Sequence, residues 1–463
     1  MKDIVRKYFS QDTLNHIFDS KIVKNKSKGI DKKTYKFYTE KSCKQELIST
    51  IESKIVNEKY HFSPYLELLK IKRRNTPPRV LSIPTVRDKI VLQILKNYLH
   101  DVFPEVINKE QPNSYIRKIK NFIRHHKNNK IYCLRTDINQ FYDTISRSKL
   151  KKAVKIKSKN RYINKFLFLS IENPTVPHDY KRNNISQYKL KKGIPQGLPI
   201  SNILAQIYLQ NLDTSINGII DENTLYLRYV DDILILSTKN CSDYLNRIKT
   251  ELKELGLKLN SDKTFVGELS ESIFYLGYLI KDTSISVSKQ TIENQVNKIA
   301  GKVTWFKKGI ENTNFMPARY KNNPKEFSEQ FIKEVNEIIT GSKNENKNYG
   351  WLFYYIEIDD VSALYKLDNI IRKMIQNIPF FQGKIPHQLK SFVKAYNEIK
   401  YKPETSEYIN DYTKYKTMEQ KKELLKEFSQ LEEQKDHSNE EIDSLFEEFK
   451  NNRLNFLKEN IVY

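Results

Sequence analysis

The stretch Leu227–Leu236, LRYVDDILIL, sets two adjacent carboxylates, Asp231 and Asp232, between two runs of strand-forming residues. Taken alone it reads as a β-hairpin, because Asp is a favoured turn residue and the apolar runs form the two arms. A plain turn would prefer Asp-Gly or Asn-Gly, whose backbones accept the positive φ such turns demand, whereas here Ile233 follows at once. Two like charges held side by side repel and raise one another's pKa, a cost that a bound cation offsets. The pattern points to a divalent-metal site as well as to a turn.

A third carboxylate lies upstream in LRTDINQFYDTIS (Leu134–Ser146), where Asp137 ends a strand and Phe141 and Tyr142 follow. Between the two acidic sites, KKGIPQGLPISNILAQIYLQNLD (Lys191–Asp213) supplies a Gly-Pro-rich turn with Gln196 and then a buried helix. This order lets Asp137 and the hairpin meet on neighbouring strands of one sheet. Such a set suits nucleotidyl transfer, in which two magnesium ions about 3.5–4 Å apart activate a 3′-hydroxyl and steady departing pyrophosphate. Magnesium keeps coordination sites for substrate phosphates, so two or three protein carboxylates suffice, and no catalytic His or Cys is required.

The chain as a whole agrees with such a substrate. Its 463 residues can form two or three domains, and 80 Lys and Arg against 56 Asp and Glu give a formal charge of +24 and a pI near 9.5. That excess favours a polyanionic partner, best read as nucleic acid. Basic clusters recur at Arg117–Lys130, Arg147–Arg161 and Lys189–Gly193, with Phe122 and Tyr162 interleaved as rings able to stack on bases. Cys43, Cys133 and Cys241 are far apart, form no CxxC pair and have no nearby histidines, which supports neither a disulfide framework nor a structural zinc site and suits a reducing cytoplasm. The polar N-terminus is no secretory signal, and no apolar run reaches the roughly 20 residues of a membrane span, so the expected location is cytoplasmic, without membrane partners.

Leu69–Leu95 reads as strand, loop, strand and then a helix from near Val86, since NTPPR cannot be helix interior. From about Lys130 to Val287 short strands alternate with helices, an α+β pattern, and the amphipathic DYLNRIKTELKELG ends at Gly256. Beyond Ser288 the sequence is mainly helical. Its acidic tail offers two amphipathic helices, the second opened by a capping box from Ser438 to Glu441. Leu424, Leu425, Phe428, Leu431, Ile442, Leu445 and Phe449 form their apolar face, suited either to self-association as a homo-oligomer or to packing back on the preceding helices.

These motifs resemble those of reverse transcriptases. YVDD (Tyr229–Asp232) is similar to the YxDD motif, DINQFYD (Asp137–Asp143) to the motif with the first metal ligand, and GIPQGLPIS (Gly193–Ser201) to the PQG turn of the nucleotide pocket. SKGIDKKT (Ser27–Thr34) and PPRVLSIPTVRDKIV (Pro77–Val91) resemble the earlier elements of bacterial and intron-type enzymes; GLKLNSDKT (Gly256–Thr264) and FYLGYLI (Phe274–Ile280) resemble the next palm motif and the primer grip. The likeness runs in order from about residue 24 to 285.

The resemblance implies an α+β right-hand polymerase with fingers, palm and thumb and a mainly α-helical C-terminal extension. Fingers fall at 1–135 with part of 145–190, the palm at 136–287, the thumb at 288–400 and the acidic extension at 401–463. It makes Asp137 and Asp231 the main metal ligands, with Asp232 supporting and Ile138 beside them, around two Mg2+ ions. It makes Tyr142 a steric gate against the ribose 2′-hydroxyl, lines the incoming nucleotide with Gln196 and Gly197, and brings Arg79 and Lys72 to the triphosphate. Lys263 matches the lysine that protonates leaving pyrophosphate.

No zinc cluster, nuclease motif or recognisable ribonuclease H segment follows, and the NAxxH and VTG elements of retron enzymes are not found. The chain looks most like the bacterial defence-associated, abortive-infection group. That likeness implies RNA-directed DNA synthesis from dNTPs in antiphage defence, sometimes on a dedicated non-coding RNA template and sometimes primed on the protein. Two other readings compete: untemplated or homopolymeric synthesis by the same site, and a nucleic-acid-binding scaffold with a disused one. The joint presence of Asp137, Asp231, Asp232, Gln196 and Tyr142 speaks against the scaffold. GWLFYY (Gly350–Tyr355) resembles a thumb segment and is read as helix-packing core.

Overall fold

A computed structural model describes residues 2–23, 25–40, 42–70, 77–108, 110–428, 430–431 and 437–459. The chain divides into two units, Met1–Lys109 with Tyr132–Gly267, and Glu110–Ile131 with Glu268–Tyr463.

In the first unit, β1 (Tyr65–Lys70) and β2 (Arg79–Ile83) pair antiparallel, and β1 also pairs in parallel with the short β4 (Thr175–Val176). The turn chemistry after β2 starts a helix where the sequence expects one: Thr85 caps Val86–Val102 by accepting the Asp88 amide. Asp88 is fully buried and is satisfied by the Tyr60 hydroxyl at 2.6 Å, the Thr85 hydroxyl at 2.8 Å and the Ser63 amide at 3.0 Å. Gly29, in the Gly-Ile-Asp element, lies against this cap; a Cβ there would come within 2.7 Å of Thr85 Cα, so only glycine admits the approach.

The other sheet of this unit has the order β5-β6-β3-β7, with β3 (Tyr132–Asp137), β5 (Thr224–Tyr229), β6 (Asp232–Ser237) and β7 (Phe265–Glu268). Strand β6 is central and buried from Ile233 to Ser237, which accounts for its continuous apolar run. The helix Ser201–Asn217 is buried on most sides, and Ser242–Leu255 ends at Gly256 with φ 78°, where its amide donates back to Leu252 O. Lys72 lies outside the described residues.

The second unit opens its C-terminal part with an antiparallel meander in the order β10-β9-β8: β8 (Ile273–Tyr275), β9 (Tyr278–Lys281) and β10 (Ser284–Val287). The β8–β9 turn puts Leu276 and Gly277 at φ 49° and 82°, and Tyr355 stands so close that a Cβ on Gly277 would lie 2.5 Å from its hydroxyl oxygen. Trp351, Leu352, Phe353 and Tyr355 are all buried, so GWLFYY is packing core as expected. Helices follow at Lys289–Glu311, Pro324–Thr340, Ser362–Gln376 and Phe392–Tyr401.

The helical expectation beyond Ser288 missed one small sheet, β11 (Ser342–Asn344), β12 (Lys347–Tyr349) and β13 (Asn410–Asp411). Its strands are too short for a period-2 signal, and its base is set by a Gly341–Gly350 approach that a Cβ on Gly350 would close to 2.6 Å.

The tail has the capping box at Ser438–Glu441 and a helix Asn439–Lys458. Leu424, Leu425, Phe428, Leu431, Ile442 and Phe449 are buried in one cluster with Tyr349 and Tyr412, and Leu445 packs against it. Of the two uses open to this face, packing back on the chain's own elements is the one realised. Arg453 clamps it electrostatically, its guanidinium paired with Glu334 and Glu337 of the Pro324–Thr340 helix. Among the described residues no helix is long and apolar enough to cross a membrane.

Candidate active site

Asp137 closes β3 and stands directly opposite Asp232, the first residue of β6, which in turn pairs with Tyr229 at the end of β5. The hairpin turn is therefore Val230-Asp231, and both arms extend as the sequence implies. Val230 has φ 58°, the one β-branched residue among the described positive-φ positions outside glycine. Glycine is usual there, and a β-branched residue in that region costs on the order of 1–3 kcal/mol. Ile138 N–H donates to Asp231 O at 3.1 Å and Asn260 N–H to Asp137 O at 2.8 Å, tying the two acidic segments to each other and to the Asn260 turn.

Each of two carboxylates already faces a cation. Lys263, ending the turn Ser261–Lys263, places Nζ on Asp137 Oδ2. Arg135 lies two residues before Asp137, on the same face of β3, with Nη2 3.4 Å from Asp232 Oδ2 and Nε 3.2 Å from Oδ1. The second contact is a charge contact only: Asp232 Oδ1 and Arg135 Nε are both buried without a hydrogen-bond partner. Burial, with the charge of Asp137, raises the Asp231 carboxyl above its ordinary value; burial, resisted by Arg135, pushes Asp232 up to about 6.

Among the described residues no three His, Cys, Asp or Glu side chains converge as a metal-binding group, so the three aspartates share one sheet edge without forming a closed cage. The donor set still fits a divalent cation. Burial and a neighbouring carboxylate disfavour the charge on Asp231, and Asp232 Oδ1 is buried and unsatisfied, the condition a hard cation relieves. Ile138 is 1 % exposed and has no side-chain donor, so its carbonyl alone could join such a set.

The Gly-Pro-rich turn is pinned beside this edge. Gly193 N–H donates to Ile145 O at 2.8 Å and Ile194 N–H to Tyr142 O at 2.9 Å, while Ser82 N–H of β2 donates to Gln196 O at 2.8 Å. Gly193 needs its φ of 80° and its missing side chain, because a Cβ would come within 2.8 Å of Asp143 O. Gln196 Nε2 donates to Asp143 Oδ1 at 3.3 Å, and Gly197 is exposed with φ 93°. Tyr142 is half-buried; burial and the charge of Asp231 push its hydroxyl up to about 12, with Arg79 opposing. Arg79, exposed on β2, acts electrostatically on Asp231 as well. The structure thus gathers Asp137, Ile138, Asp231, Asp232, Lys263, Tyr142, Gln196, Gly197 and Arg79.

Residue types alone did not single out Arg135, Asp143 or Arg147. Arg147 donates to Gly193 O at 2.7 Å and Leu190 O at 2.6 Å, holding the turn from outside. For Arg135 a signal was available, the period of two that puts it on the face of Asp137; Arg147 sits in a Lys-rich run that masks it.

Residues 71–280 match the family model described as reverse transcriptase (RNA-dependent DNA polymerase). The chain is 23% identical over 277 residues to the uncharacterized 91 kDa protein in cob intron of Schizosaccharomyces pombe, covering 56% of this chain and 32% of that one. It is 30% identical over 125 residues to the telomerase reverse transcriptase of Euplotes aediculatus, covering 24% of this chain and 12% of that protein. Telomerase from Candida albicans, solved with a fragment of telomeric RNA, aligns with TM-score 0.45 and 16% identity over 85% of this chain and 67% of that one. The chain spans about a third of the length of the intron-encoded relatives it matches. Residues 71–280, a little under half of the chain, are thus similar to a reverse transcriptase domain.

Proposed function

We propose that the protein is an RNA-directed DNA polymerase that joins deoxynucleotides by two-metal nucleotidyl transfer. The observation that carries this reading is the register of Asp137 opposite Asp232, with Asp231 in the turn just before Asp232 and Tyr142 and Arg79 acting electrostatically on that turn. Asp137 and Asp231, with the Ile138 carbonyl, would hold magnesium, and Asp232 would support them from its Arg135 contact. When bound, the two ions supply activation of the 3′-hydroxyl and charge stabilisation for the departing pyrophosphate.

The chain's own residues do the rest. Arg79 binds triphosphate oxygens through its guanidinium fork, and Lys72 is assigned the same task by resemblance. Gln196 and Gly197 line the base and sugar, and the packed Tyr142 ring excludes a ribose 2′-hydroxyl. Lys263 holds a proton at Nζ, first against Asp137 and then available to the leaving pyrophosphate. RNA as template and DNA as product follow from this reading, and the charge of +24 suits both.

A role in bacterial antiphage defence, on a dedicated non-coding RNA or primed by a protein hydroxyl, rests on the motif resemblance. The division into fingers (1–135), palm (136–287), thumb (288–400) and extension (401–463) is part of the same proposal. The test is nucleotide incorporation by protein purified with its own nucleic acid, with product sequencing, for wild type and the Asp231→Ala/Asp232→Ala double variant. Magnesium-dependent product lost in the variant supports the reading, and its sequence separates templated from untemplated synthesis. Equal product from both proteins would take the activity away from these aspartates, and none from either on any supplied primer-template would favour the scaffold, either outcome sinking the reading; phage plating with and without the gene tests the defence role.

A further inference from the structure

The hairpin that carries Asp231 has an unfavourable residue at its tip, since Val230 sits at φ 58° with a branched Cβ. A conformation of this kind persists only where neighbouring groups hold it. The group that does so here is Arg228, two residues earlier on β5: its Nη1 donates to the Val230 carbonyl at 2.8 Å. The Arg228 side chain is only 7 % exposed and is itself fixed, with Nε donating to Asp213 Oδ1 at 2.6 Å and Nη2 paired with Asp213 Oδ2. The Tyr226 hydroxyl donates to the same Asp213 oxygen at 2.7 Å. Asp213 belongs to the Ser201–Asn217 helix, which begins directly after the PQG turn.

We infer that Arg228 and Asp213 form a positioning pair that holds Val230 in the left-handed conformation and thereby sets the direction of Asp231. The inference rests on the polymerase reading for its effect on catalysis, though the geometry of the brace does not. A guanidinium suits the task because its planar fork can bind a carboxylate along one edge and still present another N–H to a carbonyl. Lysine, a point charge, cannot do both in fixed geometry. Asp231 has no room to compensate, because its carbonyl is already engaged by Ile138 N–H at 3.1 Å.

Glycine at position 230 would adopt the turn without a brace, and this makes the inference testable by coupling. Four proteins are compared in primer extension: wild type, Arg228→Met, Val230→Gly and the Arg228→Met/Val230→Gly double variant. In the valine background, Arg228→Met is expected to lower kcat about 10- to 100-fold with KM for the nucleotide moving less than about threefold. In the glycine background the same change is expected to cost less than about threefold. An equal loss in both backgrounds, or none in either, would overturn the inference.

Hydrogen exchange of the Ile138 amide provides a readout independent of activity. It is expected to quicken in Arg228→Met and to return towards the wild-type rate when Val230 is glycine; unchanged protection in Arg228→Met would overturn the brace. If wild type incorporates no nucleotide, the polymerase reading fails while the exchange result still decides the brace. Arg228→Met/Asp213→Asn, which leaves no unpaired carboxylate behind, serves if Arg228→Met does not fold, and the same exchange outcomes apply to it. Arg228→Lys is expected to restore only part of kcat.

Discussion

Asp137 and Asp232 face each other as direct partners across β3 and β6, yet each is answered by a different cation, Lys263 for the first and Arg135 for the second. Asp231, in the turn between β5 and β6, is raised by burial and by Asp137, with Arg79 and Lys263 opposing from a distance.

A carboxyl whose folded pKa lies above its unfolded value opposes folding while it is charged, and that cost is relieved as pH falls. Asp231→Asn should therefore raise the melting temperature of the metal-free protein at neutral pH. Magnesium, by contrast, should stabilise the wild type through binding to the folded state and leave the variant unmoved. Thermal melts of both proteins in chelator and in millimolar magnesium check this; a variant less stable than wild type in chelator would count against a strained, cation-seeking Asp231.

Arg135 should matter more than its anonymity in the sequence suggests. Asp232 is mostly buried and its side-chain partner in this region is Arg135, so Arg135→Met leaves a charge without compensation. For a partly exposed pair the cost is expected to be about 1–3 kcal/mol, below that of a fully buried one. Arg135→Met/Asp232→Asn should recover most of it in urea unfolding. Failure of the double variant to recover would show that Arg135 acts through packing rather than charge.

Gly193→Ala tests the nucleotide turn. The substitution forces a side chain into φ 80° and against Asp143 O, a strain of about 1–2 kcal/mol before any displacement. Because Ile194 N–H donates to Tyr142 O, the turn should move together with Tyr142, the gate of the proposed reaction. The expected result is a several-fold rise in KM for deoxynucleotides, measured by steady-state incorporation, with stability reduced by a similar energy. An unchanged KM would separate the turn from the nucleotide.

Lys89 offers a stability signal remote from the aspartates. Its ammonium is buried beneath Ser27, donating to Ser27 O at 2.5 Å and Oγ at 2.8 Å, and burial lowers its pKa to about 8, with Asp31 opposing. Between about pH 8 and its unfolded value of 10.5, the unfolded chain keeps a proton that the folded chain has released, so stability contributed at this site rises with pH. Relative to Lys89→Met, wild type should gain ground between pH 7.5 and 9.5 in urea midpoints. A constant gap would mean that the amine is not desolvated.

Short-range chemistry carried much of the architecture. The helix from Val86, the αL stop at Gly256, the capping box at Ser438 and the strands around Asp137 and Asp232 all depend on residues within a few positions of one another, which local pattern encodes. The motif order likewise placed the aspartates, the PQG turn and Tyr142 in one neighbourhood. Other features depend on groups brought together from far apart in the chain. Arg453 reaches Glu337 across 116 positions to anchor the tail helix, and without that partner its apolar face read equally well as a surface for a second copy. The strain at Val230 and its brace from Asp213 to Arg228 were hidden for the same reason, since hydrogen-bond partners and desolvation exist only once the helix and hairpin have packed. Periodicity and motif spacing could name the carboxylates; the state of each one, answered by a cation or left wanting one, was set by the folded environment around it.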